Sequence, residues 1–245
     1  MSRVLVTASP DGVFEVRMND AVNSNHLGDE LCARLSDALS EIAADPALKV
    51  VVLTGTPEVF CGGASLETLS RLCGGSTTVK DLELPGQLIG YPVVIVAALE
   101  GDAVGGGLML AVCSDIAVAA ENRRFGLNFT TLGFAPGMGA TQLLPSLVGH
   151  CTAIEMLLTG KFYKGRELAN RGLFNAVVAH DQVRAVAFDL ARRIAERPRY
   201  VIEMVKSALA EPRLRLLQEA LDREHLLHKS CFGRVDIGRT IADSY

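Results

Sequence analysis

The sequence predicts an α/β fold, and three observations carry that prediction. Two runs, residues 50–54 and 93–99, are β-branched or apolar throughout, which is typical of strands buried on both faces. A glycine-rich loop follows each run. The second loop opens an apolar helical pattern that leads to a further strand. Strand, loop, helix and strand in this order indicate a layered core with crossover connections.

The elements before that core follow from changes in the spacing of apolar residues. Residues 4–7 and 13–18 are predicted as two strands of a hairpin. Apolar residues then recur every three or four positions over residues 27–42, which predicts an amphipathic helix. Ser24 or Asn25 lies just upstream and is the predicted cap of that helix.

The second half of the chain becomes progressively helical. Residues 115–119 are predicted as a third buried strand. The elements predicted after it are helices at residues 140–148, 153–158, 165–171 and 182–196, and a strand at residues 175–178. Only helices follow Pro198, and both Pro198 and Pro212 are predicted to stop helices. We therefore expect an α/β core over residues 1–195 and a C-terminal helical region over residues 196–245.

Composition excludes several function classes. The chain of 245 residues is 49% hydrophobic and 21% charged, which suits a folded protein with a full core. The formal net charge of −4 gives no electrostatic basis for nucleic-acid binding. The longest apolar run, residues 93–99, is too short to span a membrane, and the N-terminus does not resemble a signal peptide. We therefore expect a cytoplasmic protein with a small substrate and no membrane partner.

The cysteines do not suggest a metal site. None of the six belongs to a CxxC pair or to a His/Cys cluster at ligand spacing. We therefore expect reduced thiols, no metal and no cofactor.

Two glycine-rich segments are the strongest candidates for a functional site. Residues 60–66 follow a strand and precede a short helix, so backbone N–H groups near Ala64 can face an anion. Residues 101–108 repeat this arrangement, and their consecutive glycines let a substrate approach the main chain. Two such N–H groups that converge on one oxygen form an oxyanion hole. Either segment alone is equally consistent with a tight turn, and neither matches the phosphate-binding glycine motifs.

Both segments resemble loops of the enoyl-CoA hydratase/isomerase, or crotonase-like, superfamily. Residues 60–66 are similar to its FxAGAD loop, and residues 101–107 to its GxxxGGG loop. Further similar segments are residues 113–119, 125–126, 132–141 and 157–160. The resemblance implies a spiral core of repeated ββα units and an oxyanion hole built from the N–H groups of Ala64 and Gly106. The substrate contacts implied in the same loops are Gly63 and Gly105.

The chain departs from the hydratases of this superfamily at both catalytic glutamates. Met109 and Phe129 occupy those positions, and Ser65 replaces the aspartate of the first loop. Neither a methionine nor a phenylalanine transfers a proton, so ordinary hydration is not expected. A neutral pocket accepts a substrate carboxylate more readily, and an oxyanion hole stabilises the enolate that remains when CO₂ departs. These departures favour decarboxylation.

One decarboxylating subgroup is a closer resemblance: the second crotonase-like enzyme of polyketide β-branching cassettes. The similar segments are residues 128–129, 133–141 and 224–232. A C-terminal histidine, a lysine and a tyrosine are implicated in that subgroup, and His228 matches the histidine. Lys80 and Tyr91 are the single lysine and tyrosine of residues 66–92. Lys80 is equally typical of a solvated loop, Tyr91 of packing at a strand entrance, and His225 is the alternative histidine.

The resemblance implies an enzyme that decarboxylates a 3-methylglutaconyl-type thioester held on the phosphopantetheine of an acyl carrier protein or on CoA. The catalytic residues would be Ala64, Gly106, His228 and Lys80. The remaining side chains expected to contact substrate are Met109, Asn128, Phe129 and Tyr91. Two alternatives stay open: an isomerase or atypical hydratase, and a non-catalytic subunit that binds an acyl thioester or a carrier.

The C-terminal third carries a basic cluster that would suit an acidic carrier protein or CoA phosphates, or would form a solvated helix face. Its members are Arg192, Arg193, Arg197, Arg199, Lys206, Arg213 and Arg215. Homotrimers or dimers of trimers are usual in the superfamily, so we expect a homo-oligomer.

Overall fold

A computed structural model describes residues 3–74, 83–232, 234 and 237–242. The described residues form ten strands: β1 (Val4–Ala8), β2 (Val13–Met18), β3 (Val50–Thr54), β4 (Val59–Cys61), β5 (Val94–Leu99), β6 (Asp102–Val104), β7 (Ile116–Ala120), β8 (Arg124–Gly126), β9 (Tyr163–Lys164) and β10 (Ala176–Val178). They also form nine α-helices: α1 (Asp29–Ala43), α2 (Leu66–Cys73), α3 (Leu84–Ile89), α4 (Gly106–Cys113), α5 (Ala140–Thr159), α6 (Gly165–Leu168), α7 (Val183–Ala195), α8 (Arg199–Phe232) and α9 (Ile237–Ala242).

These strands belong to two sheets. The larger has the order β1-β2-β3-β5-β7-β10, in which β1 is antiparallel to β2 and the other pairs are parallel. The smaller has the order β4-β6-β8-β9, and its first three strands are parallel. The chain passes from β3 to β4, from β5 to β6 and from β7 to β8, so it places one strand in each sheet on every pass. Helices α2 and α4 follow the first two pairs, and the predicted α/β class with repeated ββα units is confirmed.

The central strands are apolar on both faces because each face meets a separate hydrophobic cluster. On one side, Val52 and Val96 pack in a cluster with Ala187 and Ala191 of α7. On the other side, the neighbouring Val51 and Ile95 belong to the main core. Alternating residues of a strand point to opposite faces, so a continuous apolar run is what two covering layers require.

The predicted cap of the first helix is wrong. Helix α1 begins at Asp29 with Gly28 as its N-cap, and Ser24 and Asn25 lie upstream with φ of 51° and 50°. Asn25 is fully buried, and its side-chain amide donates to the carbonyl oxygens of Val59 and Phe60 at 3.2 and 3.0 Å. The asparagine therefore ties the loop before α1 to β4, since a buried amide must satisfy its hydrogen bonds.

Two predicted helix interruptions have different outcomes in the structure. The two helices predicted within α5 are present, separated at Gly149 by a non-helical φ of 75°. Pro212, predicted as a stop, lies inside the continuous helix α8. An internal proline costs a helix about 3 kcal/mol, so tertiary contacts must compensate. Lys206 and Arg213 flank it on α8 and both bind the carboxylate of Asp115, which holds the two halves of the helix on one anchor.

The C-terminal helices share the main core. Ile202, Ala210 and Leu217 of α8 and Ile241 of α9 are buried in the same cluster as the strands of the core. The division between residues 195 and 196 stays a prediction. Within the described residues, no helix is both long enough and apolar enough to cross a lipid bilayer.

Candidate active site

One narrow apolar cavity, of about 50 Å³, brings the two glycine-rich segments together. Seven of the ten predicted site residues line it: Gly63, Ala64, Gly105, Gly106, Asn128, Phe129 and His228. Its other described lining residues are Leu27, Gly62, Thr68, Leu69, Leu72, Leu132, Phe134, Gly137 and Met138. The polar side chains on this wall are those of Thr68, Asn128 and His228, so the described lining contains no carboxylate.

The two glycine segments meet main chain to main chain. A Cβ on Gly63, whose φ is +86°, would lie 2.7 Å from the carbonyl oxygen of Val104 and 3.7 Å from the nitrogen of Gly106. A Cβ on Gly107 would lie 2.1 Å from the carbonyl oxygen of Cys61. Real side chains do not fit at such distances, so glycine is required where the backbones touch. The parallel pairing of β4 with β6 holds this contact at the base of both loops.

Helix α4 starts at the cavity. The N–H groups of Leu108 and Met109 donate to the carbonyl oxygen of Gly105, each at 3.1 Å. Gly106 is the first residue of the helix, so its own N–H group has no acceptor in a preceding helical turn. The positive end of the helix dipole adds to the potential of these groups. This geometry suits a developing negative charge on a substrate oxygen.

Ser65 has a local structural role that was not predicted from the sequence. It is the N-cap of α2, and its hydroxyl accepts from the backbone N–H of Thr68 at 3.1 Å. The hydroxyl of Thr68 lies 2.9 Å from that of Ser65 and donates to the carbonyl oxygen of Leu27 at 3.3 Å. Serine is a favoured N-cap, so this residue starts α2 without placing a charge beside Ala64. The signal in the sequence is a serine directly before a short helical pattern.

His228 lies on α8 with 5% of its surface exposed. Its Nε2 is 2.8 Å from the carbonyl oxygen of Ala135, and its ring lies 6.4 and 5.3 Å from those of Phe134 and Phe232. A carbonyl oxygen only accepts, so Nε2 carries the proton in this bond and Nδ1 is the nitrogen that titrates. Burial lowers the pKa of His228, with the neighbouring His225 acting in the same direction.

Two predicted site residues, Met109 and Tyr91, are not among the described lining residues of this cavity, and a third lies outside the described residues. Met109 is fully buried on α4 in the main core and is not among the lining residues. Tyr91 is also buried, and its hydroxyl donates to the carbonyl oxygen of Leu39 at 2.8 Å. Burial raises the pKa of Tyr91, which opposes an acid–base role. Lys80 lies outside the described residues.

The basic cluster of the C-terminal third is compensated by acidic partners. The ion pairs are Arg192 with Asp11, Arg193 with Asp189, Arg197 with Glu196, Arg199 with Glu203, Lys206 and Arg213 with Asp115, and Arg215 with Glu211. Lys206 is only 3% exposed, so it is a structural residue. In the described part of the chain, the members of this cluster are therefore ion-paired and do not form an unopposed positive patch. Across the described parts of the chain, no group of three or more His, Cys, Asp or Glu residues is arranged to hold a metal ion.

Known proteins resemble this chain over nearly its full length. Residues 8–242 match the enoyl-CoA hydratase/isomerase family. The bacillaene synthase decarboxylase PksI of Bacillus subtilis is 30% identical over 233 residues, which cover 95% of this chain and 94% of that protein. A probable mitochondrial enoyl-CoA hydratase 2 of Arabidopsis thaliana is 31% identical over 235 residues, which cover 94% of this chain and 78% of that one.

Solved structures give a similar result. The ECH2 decarboxylase domain of CurF from Lyngbya majuscula superposes with a TM-score of 0.92 at 31% identity and covers 99% of both chains. A structure from a dehydratase/decarboxylase enzyme couple involved in polyketide β-branching superposes with a TM-score of 0.96 at 30% identity, covering 100% of this chain and 99% of that one. Two chemistries, hydration and decarboxylation, thus occur among relatives of similar identity.

The lowered pKa of His228 predicts a pH dependence of stability. A histidine whose folded pKa lies below its ordinary value of 6.5 favours the neutral form, so its contribution is present above that pH and is lost as the pH falls. The free energy of unfolding of the parent, measured by urea titration, should therefore exceed that of His228→Gln by less at about pH 5 than at about pH 7. His225→Gln, on the same helix, is the matched control. An equal pH slope in the parent and His228→Gln would contradict the prediction.

Proposed function

The chain belongs to the enoyl-CoA hydratase/isomerase family, and we propose that it is a cytoplasmic decarboxylase of a 3-methylglutaconyl-type acyl thioester in polyketide β-branching. One observation carries the proposal: an apolar cavity joins two helix-starting glycine segments and has no carboxylate among its described lining residues. Hydration requires groups that handle the protons of water, and the described wall offers only His228 for that task. Decarboxylation requires an electron sink and a site that tolerates a carboxylate.

The electron sink would be the thioester oxygen, held by the N–H groups of Ala64 and Gly106. When the bond to the departing carboxylate breaks, its electron pair passes through the conjugated double bond to this oxygen, and CO₂ leaves. The N–H groups stabilise the resulting enolate more strongly than the neutral thioester, which is the condition for catalysis. Removing one donor of such a hole costs about 100- to 1,000-fold in rate.

The substrate carboxylate would lie against the neutral wall. Phe129 is 8% exposed in the cavity, and its ring packs 5.9 Å from that of Phe134, where a hydratase of this family would carry a glutamate. A second carboxylate in this apolar site would repel the substrate or hold a proton at a cost in stability. Asn128 and Thr68 are the neutral groups on this wall that can hydrogen-bond to the substrate.

His228 is the described residue best placed to return a proton to the enolate. Its Nε2 is engaged by Ala135, so transfer would occur through Nδ1. Burial lowers the pKa of the ring, but a substrate carboxylate nearby favours the protonated form. The proton then reaches carbon and completes the shortened acyl thioester. Lys80 remains a proposed second participant, with the substrate carboxylate as its partner.

The acyl group would be presented on the phosphopantetheine of an acyl carrier protein or on CoA, which carry the same thioester. Self-association is supported by an apolar stripe on the outer face of α8. Its residues are Tyr200, Val201, Met204, Val205 and Leu209, with exposures of 64%, 37%, 68%, 54% and 67%. Tyr200 and Met204, Val201 and Val205, and Val205 and Leu209 are each four residues apart, which places these residues on one side of the helix. An exposed patch of this kind marks an interface, and we assign it to a homotrimer or a dimer of trimers.

The proposed function is tested with 3-methylglutaconyl thioester on a carrier protein and, in a parallel arm, on CoA. We expect the acyl product to lose the mass of one CO₂, and the faster arm identifies the preferred carrier. Gly106→Pro, which removes one donor N–H, should slow turnover by about 100- to 1,000-fold in a protein that still melts cooperatively. An unchanged mass with shifted absorbance would indicate an isomerase, and binding without turnover a non-catalytic subunit.

The neutral wall is tested by a pair of variants at Phe129. Phe129→Gln changes the shape and polarity of the side chain without adding charge. Phe129→Glu introduces a side chain of nearly the same size as glutamine that can carry a negative charge. We expect Phe129→Glu to lower kcat/KM for decarboxylation at least about tenfold below Phe129→Gln near neutral pH, because two carboxylates repel in an apolar site. Thermal melts establish that both variants fold. Equal kcat/KM values in the two variants would mean that charge at this position does not matter.

The oligomer is tested by adding charge to the stripe. The parent should elute as a trimer or larger, and Leu209→Glu should shift it to the monomer in size-exclusion chromatography with light scattering, since a buried unpaired charge opposes association. Val22→Glu, at a loop residue that is 94% exposed, is the matched control. A monomeric parent, or an unshifted Leu209→Glu variant, would refute the assignment of this stripe.

A further inference from the structure

Glu224 is a buried carboxylate that the proposed chemistry does not use. It lies on α8 with 1% of its surface exposed. One carboxylate oxygen accepts from the backbone N–H of Gly139 at 2.9 Å. The other accepts from the backbone N–H of Thr141 at 2.9 Å and from its hydroxyl at 2.8 Å. Three donors therefore converge on one side chain at the N-terminus of α5.

This donor set fits the ionised form of the carboxylate. Each of its oxygens faces a backbone N–H, and a protonated or amide group would present a hydrogen to one of them. The interaction with the start of α5 also favours a negative charge. Burial opposes this charge and raises the pKa of Glu224. A neutral hydroxyl caps α2 at Ser65, so a buried charge is more than the capping of a helix requires.

The same carboxylate lies one helical turn before His228. His228 binds the carbonyl oxygen of Ala135, while Glu224 binds the N–H groups of Gly139 and Thr141. Two side chains of one helix thus hold both ends of the segment from residue 135 to residue 141. Residues four apart share a helix face, so movement at one contact is transmitted directly to the other.

The held segment forms a wall of the cavity. Met138 lines the cavity and has a φ of +61°, a left-handed conformation that is unfavourable for a side chain of this size. A Cβ on Gly106 would lie 2.9 Å from the sulfur of Met138, so the thioether rests against the proposed oxyanion donor. The bond from Gly139 to Glu224 fixes the residue that follows this strained position. Loss of this bond would remove one of the contacts that hold the backbone next to Met138.

We propose that Glu224 is a positioning residue that sets the distance between His228 and the oxyanion hole by clamping residues 135–141 to α8. The proposal rests on the decarboxylase function, and it assigns to Glu224 no contact with substrate. The carboxylate acts through Gly139 and Thr141 on one side and through the shared helix on the other.

The test is a double-mutant cycle between Glu224→Gln and His228→Ala. Glu224→Gln keeps the shape but presents an amide N–H₂ to one backbone donor. We expect it to lower kcat by about 10- to 100-fold with KM changed less than about threefold, since a misplacement of about 1 Å costs this much. In the His228→Ala background the same change should cost less than about threefold, because the position of His228 no longer matters. Additive losses would indicate general destabilisation and overturn the proposal.

A matched control uses an exposed acid of the same helix. Glu219 is 59% exposed and pairs with Arg223 at 3.7 Å, so Glu219→Gln makes the same chemical change on α8 away from the cavity. Its kcat should equal that of the parent. If Glu224→Gln fails to fold, the test uses Thr141 instead. Thr141→Val removes one of the three donors to Glu224, and Thr141→Ser retains it. A loss of kcat in Thr141→Val that Thr141→Ser restores supports the clamp, and equal rates in the two variants oppose it.

A second readout does not depend on turnover. Modification of His228 by diethyl pyrocarbonate, measured on its peptide by mass spectrometry, should be at least about tenfold faster in Glu224→Gln, or in Thr141→Val, than in the parent and Glu219→Gln. Equal protection would overturn the clamp even if the parent decarboxylates its substrate. A parent that leaves the 3-methylglutaconyl thioester intact while the clamp variants expose His228 would refute the proposed function and leave the clamp supported.

Discussion

The close approach of two backbones is the constraint on which the rest of this structure depends. The carbonyl oxygen of Cys61 faces Gly107, and that of Val104 faces Gly63, at distances that exclude any side chain. This contact brings the starts of α2 and α4 to one cavity, because each helix begins within a few residues of the crossing. The proposed oxyanion hole would therefore be made from main-chain atoms. Substitutions on the cavity wall can change the chemistry while the hole itself is kept.

The charge distribution around the cavity is consistent with a binding site in which main-chain atoms and wall side chains have separate roles. The described lining is neutral, yet the buried carboxylate of Glu224 lies on the helix that also supplies His228. Its two oxygens accept three hydrogen bonds from Gly139 and Thr141. The negative charge therefore stabilises the segment that forms the cavity wall. A carboxylate whose oxygens all accept hydrogen bonds outside the cavity orders the wall while facing the cavity with less negative potential than an unpaired carboxylate would.

Much of the larger sheet could be predicted from the sequence, and much of the smaller sheet could not. Strands β2 and β3 match their predicted bounds, because long apolar or alternating runs are compatible with few local structures besides a strand. Strands β4, β6, β8 and β9 have only two or three residues, too few for a period to emerge. The cap predicted at Asn25 is wrong because its side chain bonds to Met18 and Asp20 and to Val59 and Phe60, and the last two are more than 30 residues away. The stop predicted at Pro212 is wrong because Asp115, which anchors both halves of α8, is remote in sequence.

The candidate site divides in the same way. The glycine segments and His228 could be picked out as candidates because their residue types are informative. The direction of a side chain on an entirely apolar helix could not be predicted from the sequence. Helix α4 is buried on every side, so no periodicity shows that Met109 faces the core and leaves the wall to Phe129. Met109 therefore forms no part of the described cavity surface, whereas Phe129 forms apolar wall. Relatives near 30% identity include both hydratases and decarboxylases, so overall identity does not separate the two chemistries. Which side chains face the cavity is instead set by contacts between residues distant in the chain, as the packing of Phe129 on Phe134 and of Phe134 on His228 illustrates.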